Sequence, residues 1–176
     1  MRLILLFYFF LAFQYAFSQS CYPENKKHKR LVKKIERLID KGSYYSAIDI
    51  LKQRNESAIF NVLRSEILWK RKDFFRAEDE AIRALDLCPE NVPKAYYFLG
   101  EIAYSRKDYV SADVYLQKAL DLQLGEPYYS NAVMLYKDAH IFADIINNPV
   151  KFNPQIVEGI STENDEYLPL ISPDQD

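Results

Sequence analysis

Between residues 26 and 146, apolar side chains recur at helical spacing in blocks, and short polar turns separate the blocks. The pattern predicts helices over 26–40 and 44–54, then 57–71 and 74–87, then 93–106 and 109–123. A seventh, over about 128–146, carries Ala132, Leu135, Tyr136, Ala139 and Ala143 on one face. Pro89 and Pro93 bracket one break, where proline costs little, and Gly125 and Pro127 mark another. The expectation is an all-α chain.

The blocks resemble one another. KGSYYSAIDIL at 41–51, RKDFFRAEDEA at 71–81 and RKDYVSADVYL at 106–116 share a basic residue, a polar or Gly turn, an aromatic, and Ala three positions later. The aromatics are Tyr44, Phe74 and Tyr109, and the alanines are Ala47, Ala77 and Ala112, at intervals of 30 and 35 residues. Small residues at Ser65, Ala77, Gly100 and Ala112 allow antiparallel helices to approach closely. Each helix pair then leaves an apolar face that only the next pair can cover, so the pairs must stack. On this register, Gly100→Leu overpacks a helix contact and costs roughly 1–3 kcal/mol.

These residues resemble the tetratricopeptide repeat, whose period is ~34 residues. Leu99-Gly100 occupies the Leu-Gly positions of a first helix, Tyr96 stands where the family's tryptophan falls, and Ala112, Leu116 and Ala119 take the small-large-small positions of a second helix. Ser65, Ala77, Ala84 and Pro89 match in the middle unit. The first unit departs: Ile35 holds the small position and no closing proline follows. The resemblance implies a solenoid of antiparallel helix pairs with a C-terminal capping helix, serving as a non-enzymatic scaffold that binds another protein.

In that register, three positions of each first helix face inward. They give Val32, Val62 and Tyr97; then Glu36, Glu66 and Glu101; then Ile39, Trp69 and Tyr104. The expected groove is a ladder of glutamates between two apolar rows, suited to a partner segment bearing Lys or Arg beside apolar side chains. Trp69 is either an exposed anchor for that partner or a packing residue between helix pairs. The basic run Lys26, Lys27, Lys29, Arg30, Lys33 and Lys34 reads as a solvated helix face, with anionic lipid as the alternative.

Both ends differ from this middle. Residues 1–18 have a basic Arg2, an unbroken apolar run from Leu3 to Phe13 and an Ala16-x-Ser18 pattern, which predicts a cleaved export signal and a mature N-terminus at Gln19. The alternative is a lipoprotein signal to residue 20, with lipidation of Cys21 as the only route to the membrane. Residues 147–176 contain four prolines and no helical period, and read as an extended acidic tail with little order over 160–176. The strings NPVKFNP, STENDEYLP and SPDQD resemble the junction between tetratricopeptide repeats and a WD40-like propeller in OmpA-family envelope proteins of the Bacteroidetes, a group that includes type IX secretion and gliding components. That resemblance implies the periplasm or the periplasmic side of the outer membrane, and an envelope or secretion-machinery partner. The sequence stops where the first propeller strand is expected, so peptidoglycan binding is not carried over; the expectation is either a fragment of such a protein or a shortened relative that keeps the interaction module, with a purely structural spacer as the alternative to a partner-binding scaffold.

Composition narrows the chemistry. A net charge of −2 offers no bulk attraction to nucleic acid. Four glycines leave no phosphate-binding loop, and the two cysteines, Cys21 and Cys88, have no partner at zinc-ligand spacing, so no cofactor is expected. A bridge between those cysteines is an option in an oxidising compartment. His28 and His140 fall in the first and last helices, which leaves no Ser-His-Asp set and no expected enzyme activity. The acidic cluster Glu163, Asp165 and Glu166 lacks the spacing of a calcium loop.

Overall fold

The computed structural model describes residues 26–54 and 57–150. The expected export signal, Cys21, the tail beyond 150 and its acidic cluster lie outside the described residues. Seven helices occupy the rest: α1 (Lys26–Asp40), α2 (Tyr44–Lys52), α3 (Ala58–Lys70), α4 (Phe74–Leu87), α5 (Pro93–Ser105), α6 (Tyr109–Asp121) and α7 (Tyr128–Asn147). Among the described residues there is no strand. The helices form three antiparallel pairs in chain order, each packed on the next, and α7 closes the row against α6 and α5.

One turn design recurs within each pair. Gly42, Lys72 and Lys107 each adopt a left-handed backbone, with φ of 70°, 61° and 63°. The next amide reaches back to a carbonyl of the finished helix: Ser43 to Leu38 at 2.8 Å, Asp73 to Leu68 at 2.9 Å and Asp108 to Ala103 at 3.0 Å. This is a Schellman-type stop, which satisfies carbonyls that the helix end would otherwise leave open. The same aspartates then start the following helix, accepting from the Arg76 and Ser111 amides. The Arg76 side chain bonded to Asp73, and Ser111 bonded to Asp108, hold both carboxyls below the ordinary aspartate value. A fourth copy of the stop, at Gln123, joins α6 to the turn before α7.

Within the pairs, the small positions set the approach of the helices. Gly100 faces Leu116: a Cβ there would stand 2.6 Å from Leu116 Cγ and 3.2 Å from its backbone nitrogen. Ser65, fully buried, donates its hydroxyl to the Ala77 carbonyl at 2.8 Å, so a polar atom sits in the helix contact without an unmet bond. The opposing partner shrinks where the first residue grows: Leu116 lies opposite Gly100, and the equivalent position in the second pair is Ala81. In the first pair both Ile35 and Leu51 are large and buried, and α1 and α2 approach each other much less than the later pairs. The irregularity read in the sequence is thus an opening of that pair.

Ion pairs tie the second pair to the third. Arg106 donates two bonds to Glu78, at 2.9 and 2.7 Å, and Lys118 reaches Glu90 at 3.4 Å. Their exposure limits each to a small contribution. Cys88, buried just after α4, is disulfide-bonded. The chain's only other cysteine is Cys21.

Candidate partner-binding groove

The first helices touch along the row, α1 with α3, α3 with α5 and α5 with α7. The second helices α2, α4 and α6 do not touch one another. Such a row curves toward its first helices and makes that side concave. A groove of about 480 Å³ opens there, between α1, α3, the α4–α5 turn and the α6–α7 turn. Its floor is apolar: Val32, Ile59, Val62, Leu63, Val92 and Leu124. Its rim carries Lys29, Lys33 and Glu36 from α1 and Lys94 from α5.

Helical spacing explains that α1 wall. Lys29, Val32, Lys33 and Glu36 stand three and four residues apart, so they share one face. No acid lies in the first turn of α1, where the helix dipole favours one, and the cluster of cations there works against the helix it opens. Among the described residues no carboxylate forms an ion pair with Lys29 or Lys33.

The structure keeps part of the expected groove and dismantles the rest. Val32, Glu36 and Val62 line it. Glu66 does not present a free charge: it is 4% exposed, Lys94 lies 3.2 Å away, and the Tyr128 hydroxyl donates to its other oxygen. Lys94 also sits 5.2 Å from the centre of the Tyr128 ring. Burial, the Glu66 carboxylate and the bond to it push the Tyr128 phenol far up. This network joins α3, α5 and α7 across the concave side and sets how far the row can open.

Ile39 and Tyr97 are buried in the core, so neither can meet a partner. Trp69 is half-buried, with its ring 5.5 Å from Phe98 and 6.5 Å from Tyr97, which is the packing alternative. Tyr104 sets its edge on Tyr109 at 5.4 Å and reaches Asp138 with its hydroxyl at 3.4 Å. Glu101 is the least comfortable of the set. Burial raises its carboxyl above the ordinary value, Tyr97 and Asn131 hold part of that rise back, and one of its oxygens is buried without a partner. Burial likewise lifts the Tyr97 phenol well above its usual range. The glutamate ladder therefore reduces to Glu36 alone.

No protein-family model matches the chain, and no curated protein does. Among solved structures it is similar to the TPR domain of Sgt2 from Aspergillus fumigatus, with a TM-score of 0.57 and 17% identity. The match covers 83% of this chain and 96% of that one. The fold is a tetratricopeptide-type solenoid. At that identity the likeness concerns the course of the helices, and the chemistry of this solenoid's groove rests on its own residues. Lys29, Lys33, Ile59, Leu63, Val92, Lys94 and Leu124 also line the groove, and the inward repeat positions do not point to them. The i, i+4 pairs Lys29–Lys33 and Val32–Glu36 were the available clue.

The two histidines stand far apart along the row. His140 pairs with Asp113 at 3.0 Å on α6, and His28 meets the edge of Phe60 at 6.4 Å, near the other end of the row. Among the described residues no group of three His, Cys, Asp or Glu could hold a metal ion, and no helix is long and apolar enough to cross a membrane.

Proposed function

We propose that this solenoid is a protein-interaction scaffold. Its groove takes an extended partner segment with apolar side chains flanked by carboxylates. The observation that carries the proposal is the apolar floor beside Lys29 and Lys33, which form no ion pair among the described residues. The sequence pointed to a Lys- or Arg-bearing partner; the burial and pairing of Glu66 reverse that preference. A peptide library screened on the purified protein tests this. The expected binders combine apolar residues with Asp or Glu, and Lys29→Glu with Lys33→Glu weakens them by about tenfold or more, worth roughly 1.4 kcal/mol. Binders rich in Lys and Arg, or affinities that the double charge reversal leaves unchanged, sink it.

We further propose an exported protein of the cell envelope, whose partner is an envelope or secretion-machinery component of the kind the tail resemblance implies. The apolar leader supports export, and the Cys88 disulfide supports an oxidising compartment. Cys21 is the chain's only cysteine besides the disulfide-bonded Cys88, and this supports the cleaved form over the lipid-anchored one. Intact mass measured on exported protein without reduction should start at Gln19 and take up no alkylating agent. A mass that includes residues 1–18 or an acyl chain would overturn this placement.

A further inference from the structure

Lys29 and Lys33 stand one turn apart on the α1 wall of the groove, about 6 Å along the helix. Ile59 and Leu63 stand the same distance apart on its α3 floor. The two rows lie side by side, since His28 of α1 meets the Phe60 ring of α3 at 6.4 Å. An extended chain turns alternate side chains to opposite sides, and each side repeats every two residues, about 6.6–6.8 Å. A lysine row on the rim and an aliphatic row on the floor therefore match the two sides of one strand. The other boundaries limit where acid is accepted. Lys94, on the opposite wall, is held by Glu66 at 3.2 Å. Glu36 follows Lys33 by three residues on the same face and carries the opposite sign. Acid is thus favoured at two neighbouring rim positions and opposed at the next. From Lys29 to Glu36 the α1 wall is about 10 Å long, the length of three or four extended residues.

We propose that the groove selects the order of residues in its partner: acidic, apolar, acidic, apolar, in extended form. This rests on the reading of the groove as a site for an acidic and apolar segment, and it names the motif that the site takes. One carboxylate meets Lys29 and the other meets Lys33. The apolar side chains between and beside them turn the other way, onto Ile59, Val62 and Leu63. Two adjacent acids would break this match, because one of them would face the aliphatic floor and leave its charge without a partner.

Two peptides of equal composition, titrated into the full chain by calorimetry, test this. In one, Glu and Leu alternate over four residues; in the other, two Glu precede two Leu, within the same flanks. The alternating peptide should bind at least about tenfold more tightly. Lys29→Gln and Lys33→Gln should each weaken it severalfold. Replacing one Glu of the peptide by Gln should cancel the effect of one of these variants and leave that of the other. Both lysines are exposed, so neither variant threatens the fold. Equal affinities for the two orders overturn the inference and leave the acidic and apolar preference standing. A peptide that turns helical on binding, by circular dichroism, also overturns it. If neither peptide binds, the inference falls together with the reading on which it rests.

Discussion

Gly100→Ala adds one methyl group where α5 meets α6, and the structure sets two effects against each other. Alanine in a helix interior is better than glycine by about 0.8–1.0 kcal/mol. The added Cβ, however, would stand 2.6 Å from Leu116 Cγ, 2.8 Å from Cδ2 and 3.2 Å from the α6 backbone. The nearest atom is not the tip of a flexible side chain, and the backbone nitrogen behind it cannot rotate away. Overpacking of this kind costs about 1–3 kcal/mol. The net expectation is a loss of up to about 2 kcal/mol, read by chemical denaturation. Leu116→Ala alone should cost about 2–5 kcal/mol by leaving a cavity. In that background the two shortest contacts are gone and only the 3.2 Å approach to the backbone nitrogen remains, so Gly100→Ala should cost less than in the unmodified chain or stabilise. If Gly100→Ala instead stabilises the unmodified chain by the full helix-propensity gain, the space beside Leu116 is open and the assigned packing is wrong.

Three further expectations follow from the turns and the buried polar groups. Lys72→Gly and Lys107→Gly relieve a left-handed backbone that costs an L-residue about 1–2 kcal/mol; after the larger unfolded-state freedom of glycine is subtracted, each should raise stability by roughly 0.5–1 kcal/mol, whereas a loss on denaturation would contradict the turn geometry. Glu101 has a carboxyl raised by burial, so its contribution is fully present below the ordinary unfolded glutamate value of about 4.3 and is lost as pH rises through the folded one. Glu101→Gln should therefore melt higher than the parent at pH 7 and match it near pH 4; the same difference at both pH values would argue against a buried acid. Tyr128→Phe leaves Glu66 buried with Lys94 alone and should cost about 1–3 kcal/mol, while an unchanged denaturation midpoint would mean that the cross-groove bond carries no weight.

Helix boundaries were legible because apolar spacing and the Lys-Gly-Ser and Arg-Lys-Asp turns mark both ends of each block. Gly100 and Ser65 were legible as close-contact positions, because size alone decides them. The groove was only partly legible, since inward direction and exposure are different properties. Glu66 and Tyr97 occupy inward positions, yet Lys94, 28 residues beyond Glu66, and Tyr128, 62 beyond, cover that carboxylate. Repeat register describes neighbours one period away and does not reveal what the capping helix brings back across the concave side. The α1 lysines are exposed, as a solvated face requires, and what the sequence of α1 cannot display is that Lys29 and Lys33 border a groove floored by the apolar surface of α3.

The most direct test of the account is nuclear magnetic resonance mapping of a selected peptide on the labelled protein. Shifts should concentrate in the α1 face from Lys29 to Glu36, in the first turns of α3, and in the turns at 91–94 and 124–125. Perturbations confined to the outer faces of α2, α4 and α6, with the α1 and α3 resonances unmoved, would contradict a concave binding groove.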